Sequence, residues 1–282
     1  MRVGRVLAGA ALALALAGCG GSAGKGAGAI DVKEPATTSP PIVNAGAIVR
    51  AASTKTVTAT SARTTMVVTG GAGQGPAAVR GDGVFDFRNR RGQLTFTIPQ
   101  LGAILAVFEG GVVYEKFPAR YAPTFGGKQW LKIDLAKLAG AGAGSLGGAT
   151  QVGGNDPIQG LAFLRAAGTV TDLGASVVRG EPTRHYRALV DLQKAAAGLP
   201  AASRSRVQQL VKESGNSTLP TDVWIDRQGR VRKLSYTLRP PGGNQDSAAT
   251  VSVEYFAFGI PVPKPVLPPA SQILDLGTML GR

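Results

Sequence analysis

Few side chains in this sequence could perform acid–base or nucleophilic chemistry. The 282 residues include one histidine and one cysteine. His185 stands between Arg184 and Tyr186 in a segment of strand character, where a surface or packing role is favoured over that of a general base. A single histidine cannot build a histidine-rich metal site. It could serve in only one Ser/His/Asp triad, and the sequence has no second histidine to take that role. We therefore predict that the protein is not an enzyme and has no catalytic residues, no metal site and no cofactor.

Two pairs of aspartates have a spacing that places both carboxylates on one face of a strand. Asp222 and Asp226 are four residues apart, and so are Asp82 and Asp86. Four residues of strand span about 13 Å, which is too far for two carboxylates to share a metal ion. It is also wider than the roughly 6.5–9.5 Å of an inverting glycosidase pair. Carboxylates could still converge from different strands, which keeps a hydrolase open. Because neither pair has a catalytic spacing, a hydrolase is the least favoured functional class.

A glycine-rich run matches the dinucleotide-binding fingerprint G-x-G-x-x-G at Gly142-Ala143-Gly144-Ser145-Leu146-Gly147. That fingerprint requires a strand directly before it and a helix directly after it. Here the run lies inside a Gly/Ala stretch, residues 139–154, with no helical pattern until Asp156. We interpret the stretch as a long apolar loop, and a mobile flap is one possible role for it.

The cysteine is the strongest chemical signal in the chain. Arg2 and Arg5 precede an apolar run from Val6 to Ala17, shorter than the roughly 20 residues that a membrane-spanning helix needs. A short run with basic residues before it is typical of a signal peptide. It ends at Leu16-Ala17-Gly18-Cys19, which resembles the bacterial lipobox, in which the cysteine thiol carries a diacylglycerol. We predict a signal peptide over residues 1–18 and a lipid on Cys19. An ordinary signal peptide with an incidental cysteine is the alternative.

The composition after Cys19 divides the chain into three further parts. Residues 19–40 are rich in Gly, Ser, Ala and Pro with little apolar area to bury, which predicts a flexible tether. Residues 41–265 are long enough for one sizeable core, and we assign residues 266–282 to a C-terminal tail. The expected location is the extracytoplasmic face of the cell membrane, through the lipid anchor.

The formal charge is +14, and the basic residues are spread along the chain. A solvated surface is the simpler interpretation of this charge. The functional alternative is attraction to anionic lipids or wall polymers, because a tethered chain always has a membrane nearby. A nucleic-acid partner is not expected, since no aromatic residues interleave with the basic ones to stack on bases.

The pattern of elements predicts an α+β fold with many antiparallel strands. A first helix is predicted from Pro41 to Ser53, followed by strand character in residues 56–69. Two hairpins follow: residues 84–88 with 93–98, and residues 104–109 with 112–117 around Gly110-Gly111. Asp156-Pro157 has the cap chemistry of a helix start, and that helix is predicted to end near Ala167. The remaining segments with strand or helix character are residues 129–135, 176–179, 184–190, 192–211 (helical), 221–226, 231–238 and 250–258.

Several of these segments together resemble a known family. They are Gly127 to Asp134, the helix opened by Asp156-Pro157, Gly180-Glu181 to His185-Tyr186, Val190-Asp191, and Val223-Trp224-Ile225-Asp226 with Gly229 and Val231. In this order they resemble the LppX/LprG-type lipoproteins, which are akin to the LolA and LolB lipoprotein carriers. The resemblance covers roughly residues 45–260. It implies a strongly curved antiparallel sheet, an incomplete barrel closed on its open side by helices, with an apolar cavity for acyl chains of lipids or lipoglycans.

A single curled sheet also has more inward apolar positions than it can fill, and apolar pockets form in the mouths of such barrels. The residues expected to line this cavity, from two hairpins and the covering helix, are Leu94, Phe96, Ile98, Leu105, Val107, Leu161 and Leu164. Two hypotheses follow. The protein is a carrier that binds a lipid or lipoglycan and moves it across the envelope, or it is an envelope sensor or regulatory module that contacts another protein and transports no ligand.

The lipid on Cys19 is directly testable. Changing Cys19 to Ser should move the protein from the membrane pellet to the soluble or secreted fraction, because no other cysteine can carry the anchor. Each buried methylene adds about 0.8 kcal/mol, so the wild-type protein should resist extraction with high salt. Fractionation followed by mass spectrometry of the mature N-terminus measures both effects. A Ser variant that matures at the same site and still pellets with membranes would contradict the assignment.

Overall fold

The structure is a computed structural model, and it describes residues 44–70, 79–99, 101–134, 157–198, 204–205, 207–208, 211–212, 215–239 and 248–280. All of these belong to one compact unit, Ser39–Arg282. Cys19 and the Gly/Ala stretch at 139–154 lie outside the described residues. Among the described residues, no helix combines the length and the apolar character needed to cross a bilayer.

Twelve strands form one sheet in the order β12-β6-β5-β4-β3-β2-β1-β11-β10-β9-β8-β7. Neighbouring strands are antiparallel except for the pair β12 and β6 at one edge. The two edge strands, β12 and β7, do not pair, so the sheet is not closed into a barrel. The predicted α+β class is confirmed. The strands are β1 (Ser61–Gly70), β2 (Val79–Asp86), β3 (Arg91–Ile98), β4 (Gly102–Glu109), β5 (Val112–Lys116), β6 (Trp130–Asp134), β7 (Ala167–Val178), β8 (Glu181–Asp191), β9 (Thr218–Asp226), β10 (Val231–Leu238), β11 (Ala249–Phe256) and β12 (Ile273–Asp275).

Helices lie mainly on one face of this sheet. Helix α1 packs over β7–β10, and α4 packs on β6. The helices are α1 (Ala45–Thr58), α2 (Pro157–Phe163), α3 (Leu192–Ala197) and α4 (Leu276–Leu280), with 3-10 helices at Ala119–Phe125, Leu164–Ala166 and Ala270–Gln272.

Helix α1 begins later and ends later than the sequence predicts. Its cap is Asn44, whose side chain accepts a hydrogen bond from the Ala47 amide at 3.1 Å, so Ala45 is the first helical residue rather than Pro41. The threonines of its last turn, which we assigned to strand, bond back to the helix. The Thr56 hydroxyl donates to the Ala52 carbonyl at 2.7 Å. The same hydroxyl accepts a hydrogen bond from the Val231 amide of β10 at 2.8 Å, so a tertiary contact holds this last turn although its residues have high strand propensity.

Both predicted hairpins are present, but two other segments differ from the prediction. Residues 167–175 belong to the 12-residue strand β7. The sequence did not predict this part of the strand because it contains Gly168 and Gly174, and glycine is unfavourable in a regular strand. The segment assigned to a tail contributes β12 and α4 to the sheet edge, and Leu276 joins the apolar core at 7% exposure.

Strands β2 and β3 approach each other closely at two glycines. Gly83 pairs with Leu94, and Gly92 pairs with Phe85, all on the face that carries the core. A Cβ atom on Gly83 would overlap the Gln93 carbonyl, and one on Gly92 would overlap the Val84 carbonyl. The two backbones therefore approach each other on the inner side, which only glycine permits.

Replacing Gly83 with Ala should destabilise the protein, because the added methyl forces the two strands apart. We expect a loss of about 3 kcal/mol, which corresponds to a fall in Tm of roughly 10 °C. Gly198→Ala is the matched control, since a Cβ there would meet only the Ala195 carbonyl at 3.8 Å. Thermal unfolding by circular dichroism measures both variants. Equal and small shifts in Tm would show that the close approach is not a constraint on the fold.

Candidate functional site

The inner face of the sheet is the candidate site. On β3, Leu94, Phe96 and Ile98 point to this face and are 0%, 5% and 7% exposed. They pair across β4 with Ala106, Ile104 and Gly102. We call the inner surface over β2–β5 the trough; its residues are Gly81, Gly83, Phe85, Gly92, Leu94, Phe96, Ile98, Ile104, Ala106, Phe108 and Val113.

The residues predicted on the covering helix also face the interior. Leu161 of α2 and Leu164 of the following 3-10 helix are both fully buried. They belong to the same apolar cluster as Leu94, Phe96 and Ile98. The structure therefore brings together five of the seven residues predicted to line the cavity.

The other two predicted residues, Leu105 and Val107, lie on the opposite face of the sheet. Leu105 pairs with Thr95, and Val107 pairs with Gln93, whose side chains are exposed on the outer face. Val107 is nevertheless buried, at 2% exposure. Strand β4 is apolar at both faces, so the alternation of its residues does not reveal which face is inward. The inward residues of β4 are instead Ile104, Ala106 and Phe108, and their register with β3 would have identified them. The sequence analysis also missed Phe85 and Val113.

Aromatic rings close the trough at the end where the β2–β3 hairpin turns. Phe85 packs edge-on against Phe108 with ring centroids 5.5 Å apart. Phe87, in the hairpin turn, contacts Phe85 at 6.1 Å and Tyr255 of β11 at 6.0 Å. At the other end of the trough, where β3 ends at Ile98 and β4 begins at Gly102, the ring of Phe117 packs against the apolar core and contacts Phe125 and Tyr121, with ring centroids 5.1 and 6.5 Å apart.

Three polar side chains face the interior beside the trough. The hydroxyls of Thr64, opposite Gly83 on β1, and of Ser53 on α1 are buried without a hydrogen-bond partner. Glu115 of β5 is 4% exposed and lies between Ala106 and Leu131. An unsatisfied buried hydroxyl costs about 1–3 kcal/mol, so the hydroxyls of Thr64 and Ser53 favour a polar atom nearby that is not part of the described protein.

An ion pair terminates the inner face at the β7 edge. Arg184 holds both carboxylate oxygens of Asp172 at 2.9 and 2.7 Å from its Nε atom. Desolvation raises the pKa of Asp172, but the hydrogen bonds from Arg184 and from the Gly174 amide outweigh it and hold the pKa below its ordinary value. On the same face, burial raises the pKa of Tyr236 to about 12. Both groups therefore keep one charge state at neutral pH.

The outer face holds the residues that could have suggested catalysis. His185 stacks flat on Trp224, with ring centroids 4.1 Å apart, and its Nε2 atom lies 3.0 Å from Asp222. Asp226 is held instead by Arg230 and Arg232, at 2.9 and 3.0 Å. His185 thus has the packing role expected from its position in a strand. No group of three or more metal-ligating side chains occurs in the part of the chain that the structure describes.

A polar pocket of about 250 Å³ also lies on the outer face. Its walls come from β1, β2 and β3, with Phe256 of β11 at one side. The Thr65 hydroxyl donates to Asp82 at 2.9 Å within it. The mixture of Arg63, Asp82, Gln93 and Thr95 makes this pocket unsuited to an acyl chain.

Comparison with known proteins gave relatives of low sequence identity. No protein-family model matches the chain. An uncharacterised 31.2 kDa protein encoded between rplA and rplJ in Streptomyces griseus is 28% identical over 185 residues, which are 64% of this chain. The chain spans 58% of the length of that relative.

Solved structures that the chain is similar to include lipoproteins. The lipoprotein LppX of Mycobacterium tuberculosis has 15% identity and a TM-score of 0.47, with 77% of this chain and 98% of that chain covered. LprF of Mycobacterium bovis has 17% identity and a TM-score of 0.46, with 80% and 98% covered. A LolA superfamily protein of Nitrosomonas europaea has 11% identity and a TM-score of 0.32, with 80% and 96% covered. These are proteins of the kind that the sequence motifs resemble.

The ion pair at the β7 edge predicts an acid-sensitive contribution to stability. Because the pKa of Asp172 is lowered in the folded state, its contribution is present above the unfolded pKa of about 3.9 and is lost as pH falls through the folded pKa. Asp172→Asn should therefore lower Tm by roughly 6 °C at pH 7, about 2 kcal/mol. The difference from wild type should shrink below about pH 4. A difference that is the same at pH 7 and pH 3 would show that the charge of Asp172 is not responsible.

Proposed function

We propose that the protein is an extracytoplasmic lipoprotein, anchored through acylated Cys19, that binds the acyl chains of a lipid or lipoglycan in the trough and carries the molecule across the envelope. The observation that carries this proposal is the position of the helices. Helix α1 packs over β7–β10 and α4 on β6, whereas the apolar residues of the trough lie on β2–β5 between them. This part of the apolar interior, whose residues are buried, is suited to a ligand that supplies apolar area of its own.

The composition of the trough supports an apolar ligand. The larger side chains of the trough, among them Leu94, Phe96 and Phe108, are apolar and buried. The trough also contains the small residues Gly83 and Ala106. A methylene group buried in such a site contributes about 0.8 kcal/mol. A long acyl chain would thus be retained by burial alone, with no bond made or broken in transport.

The buried hydroxyls support a ligand that also carries polar oxygen atoms. The Thr64 hydroxyl is buried beside Gly83 without a partner. It would donate to an ester or hydroxyl oxygen at the head of an acyl chain and so recover about 1–3 kcal/mol. A diacyl lipid or lipoglycan has such oxygens next to its chains. The resemblance of the sequence motifs to LppX/LprG-type lipoproteins agrees with this ligand class.

One observation favours the regulatory module instead. Leu94, Leu161 and Leu164 are fully buried and belong to a continuous apolar cluster. A filled interior of this kind would leave no room for an acyl chain, and the surface of the protein would then carry the function. The two functions make opposite predictions for an enlarged trough residue.

Ala106→Phe is the variant that separates them. Ala106 is fully buried on the trough floor beside Leu94. If the trough holds an acyl chain, the phenyl ring should occupy that space and abolish retention of lipid while Tm changes little. If the interior is a filled core, the ring should overpack it and lower stability by about 1–3 kcal/mol. Retention is measured with a fluorescent diacyl probe, and Tm by thermal unfolding.

Ala103→Phe is the matched control, because Ala103 lies on the same strand but is exposed on the outer face. It should keep both Tm and probe retention. Organic extraction of the wild-type protein purified from membranes, followed by mass spectrometry, then identifies the lipid. A wild-type protein that yields no lipid and retains no probe, together with a large fall in Tm for Ala106→Phe, would overturn the carrier in favour of the regulatory module.

A further inference from the structure

The strands of the sheet end at two rims that differ in charge. We call one the anchor rim; it is formed by the last residues of β1, β3, β5, β8 and β10 and by the first residues of β2, β4, β6, β7, β9 and β11. The opposite rim, with the β2–β3, β7–β8 and β9–β10 turns, is the hairpin rim. We infer that the anchor rim docks on an anionic phospholipid surface. This inference rests on the lipid anchor of the proposed function.

The folded part of the chain begins at the anchor rim. Arg50, in the second turn of α1, donates to the carbonyl of Ala167 at 3.0 Å, and Ala167 is the first residue of β7. The segment that precedes Ala45 and leads back to Cys19 therefore joins the sheet at this rim. A Gly/Ser-rich chain of about 25 residues spans roughly 30 Å. With Cys19 in the membrane, the anchor rim is thus the rim held near the bilayer.

Several basic residues of the anchor rim have no carboxylate partner among the described residues. Asp191 caps α3 and pairs with Lys194 at 3.6 Å. The hydrogen bonds of Arg50 to Ala167 and of Lys128 to Ile273 go to carbonyl oxygens, which leave the charge in place. The basic residues of this rim that are not paired with a described carboxylate are Arg50, Lys116, Lys128, Arg165 and Arg239.

The hairpin rim has arginines too, but acidic partners hold many of them. Arg179 pairs with Glu254 at 2.6 Å. Arg230 pairs with Asp226 at 2.9 Å. Because these charges are compensated within the protein, the attraction to an anionic surface is expected to be stronger at the anchor rim. A basic segment next to an anionic bilayer gains about 1 kcal/mol for each lysine or arginine near the surface.

An aromatic loop projects from the anchor rim between β5 and β6. Phe117 contacts Phe125 and Tyr121, with ring centroids 5.1 and 6.5 Å apart. Backbone bonds fix the loop, including one from the Gly127 amide to the Ala122 carbonyl at 2.8 Å. The three rings are half-buried, and the exposed Arg120 stands beside Tyr121. Aromatic side chains next to basic ones are typical of protein segments that rest at the headgroup level of a bilayer.

The test is vesicle flotation of the full chain carrying Cys19→Ser, so that no lipid anchor contributes. Binding to vesicles of phosphatidylcholine with phosphatidylglycerol is compared with binding to phosphatidylcholine alone. The double variant Arg165→Gln/Arg239→Gln removes two exposed charges from the anchor rim. It should weaken binding to the anionic vesicles about thirtyfold, the equivalent of 1 kcal/mol for each charge. Arg88→Gln/Arg227→Gln removes the same charge from exposed turns of the hairpin rim and should leave binding nearly unchanged.

Three results would overturn the docking surface: equal loss in both double variants, equal binding to neutral vesicles, or binding to a purified anionic wall polymer but not to vesicles. The assay needs no ligand in the trough. Rim-specific docking by a protein that retains no diacyl probe would leave the docking surface standing while the carrier function fails. Retention of the probe without docking would leave the carrier function standing while the docking surface fails.

Discussion

The close approach of β2 and β3 at Gly83 and Gly92 is the constraint on which the rest of the structure depends. Two strands whose backbones meet on one side must splay on the other, so the sheet curves toward the glycines. The inner face then has less room per residue than the outer face. Apolar side chains such as Leu94, Phe96 and Ala106 occupy it, while exposed polar ones such as Gln93 and Thr95 project outward. Curvature thus decides which face can enclose an apolar molecule.

The outer face uses its charge to hold neighbouring strands together. His185 of β8 stacks on Trp224 of β9, and Lys233 of β10 lies over the same ring at 5.1 Å. Lys233 and Arg179 both reach Glu254 of β11, at 3.6 and 2.6 Å. Each cross-strand pair contributes only about 0.2–1 kcal/mol, but together they follow the sheet across four strands. Much of the basic charge on this half of the molecule is therefore structural.

The sequence predicted elements well where one residue type had one physical role. The turn at Asn89 and the inward row Leu94, Phe96 and Ile98 follow from turn chemistry and strict alternation. Prediction failed where two faces were equally apolar, as on β4, because Leu105 and Val107 then look as suitable for the interior as Ile104 and Phe108. It also failed where glycines interrupt a strand, as in β7, and where hydroxyls bond back to a helix, as at Thr56. The inward face of β4, the extent of β7 and the end of α1 depend on residues distant in the chain, and a local sequence pattern carries no information about those residues.

The free edge of β7 affects how copies of this protein behave beside one another. The strand has 12 residues, and its pairing with β8 shifts register twice, near Val170 and near Gly174. Leu173 and Val177 are 44% and 65% exposed along it. A long regular edge with such residues would template strand addition between molecules, whereas the bulges break its array of donors and acceptors. If the lipid anchor of the proposed function confines copies of the protein to a membrane plane, these irregularities would oppose their self-assembly into a continuous intermolecular sheet.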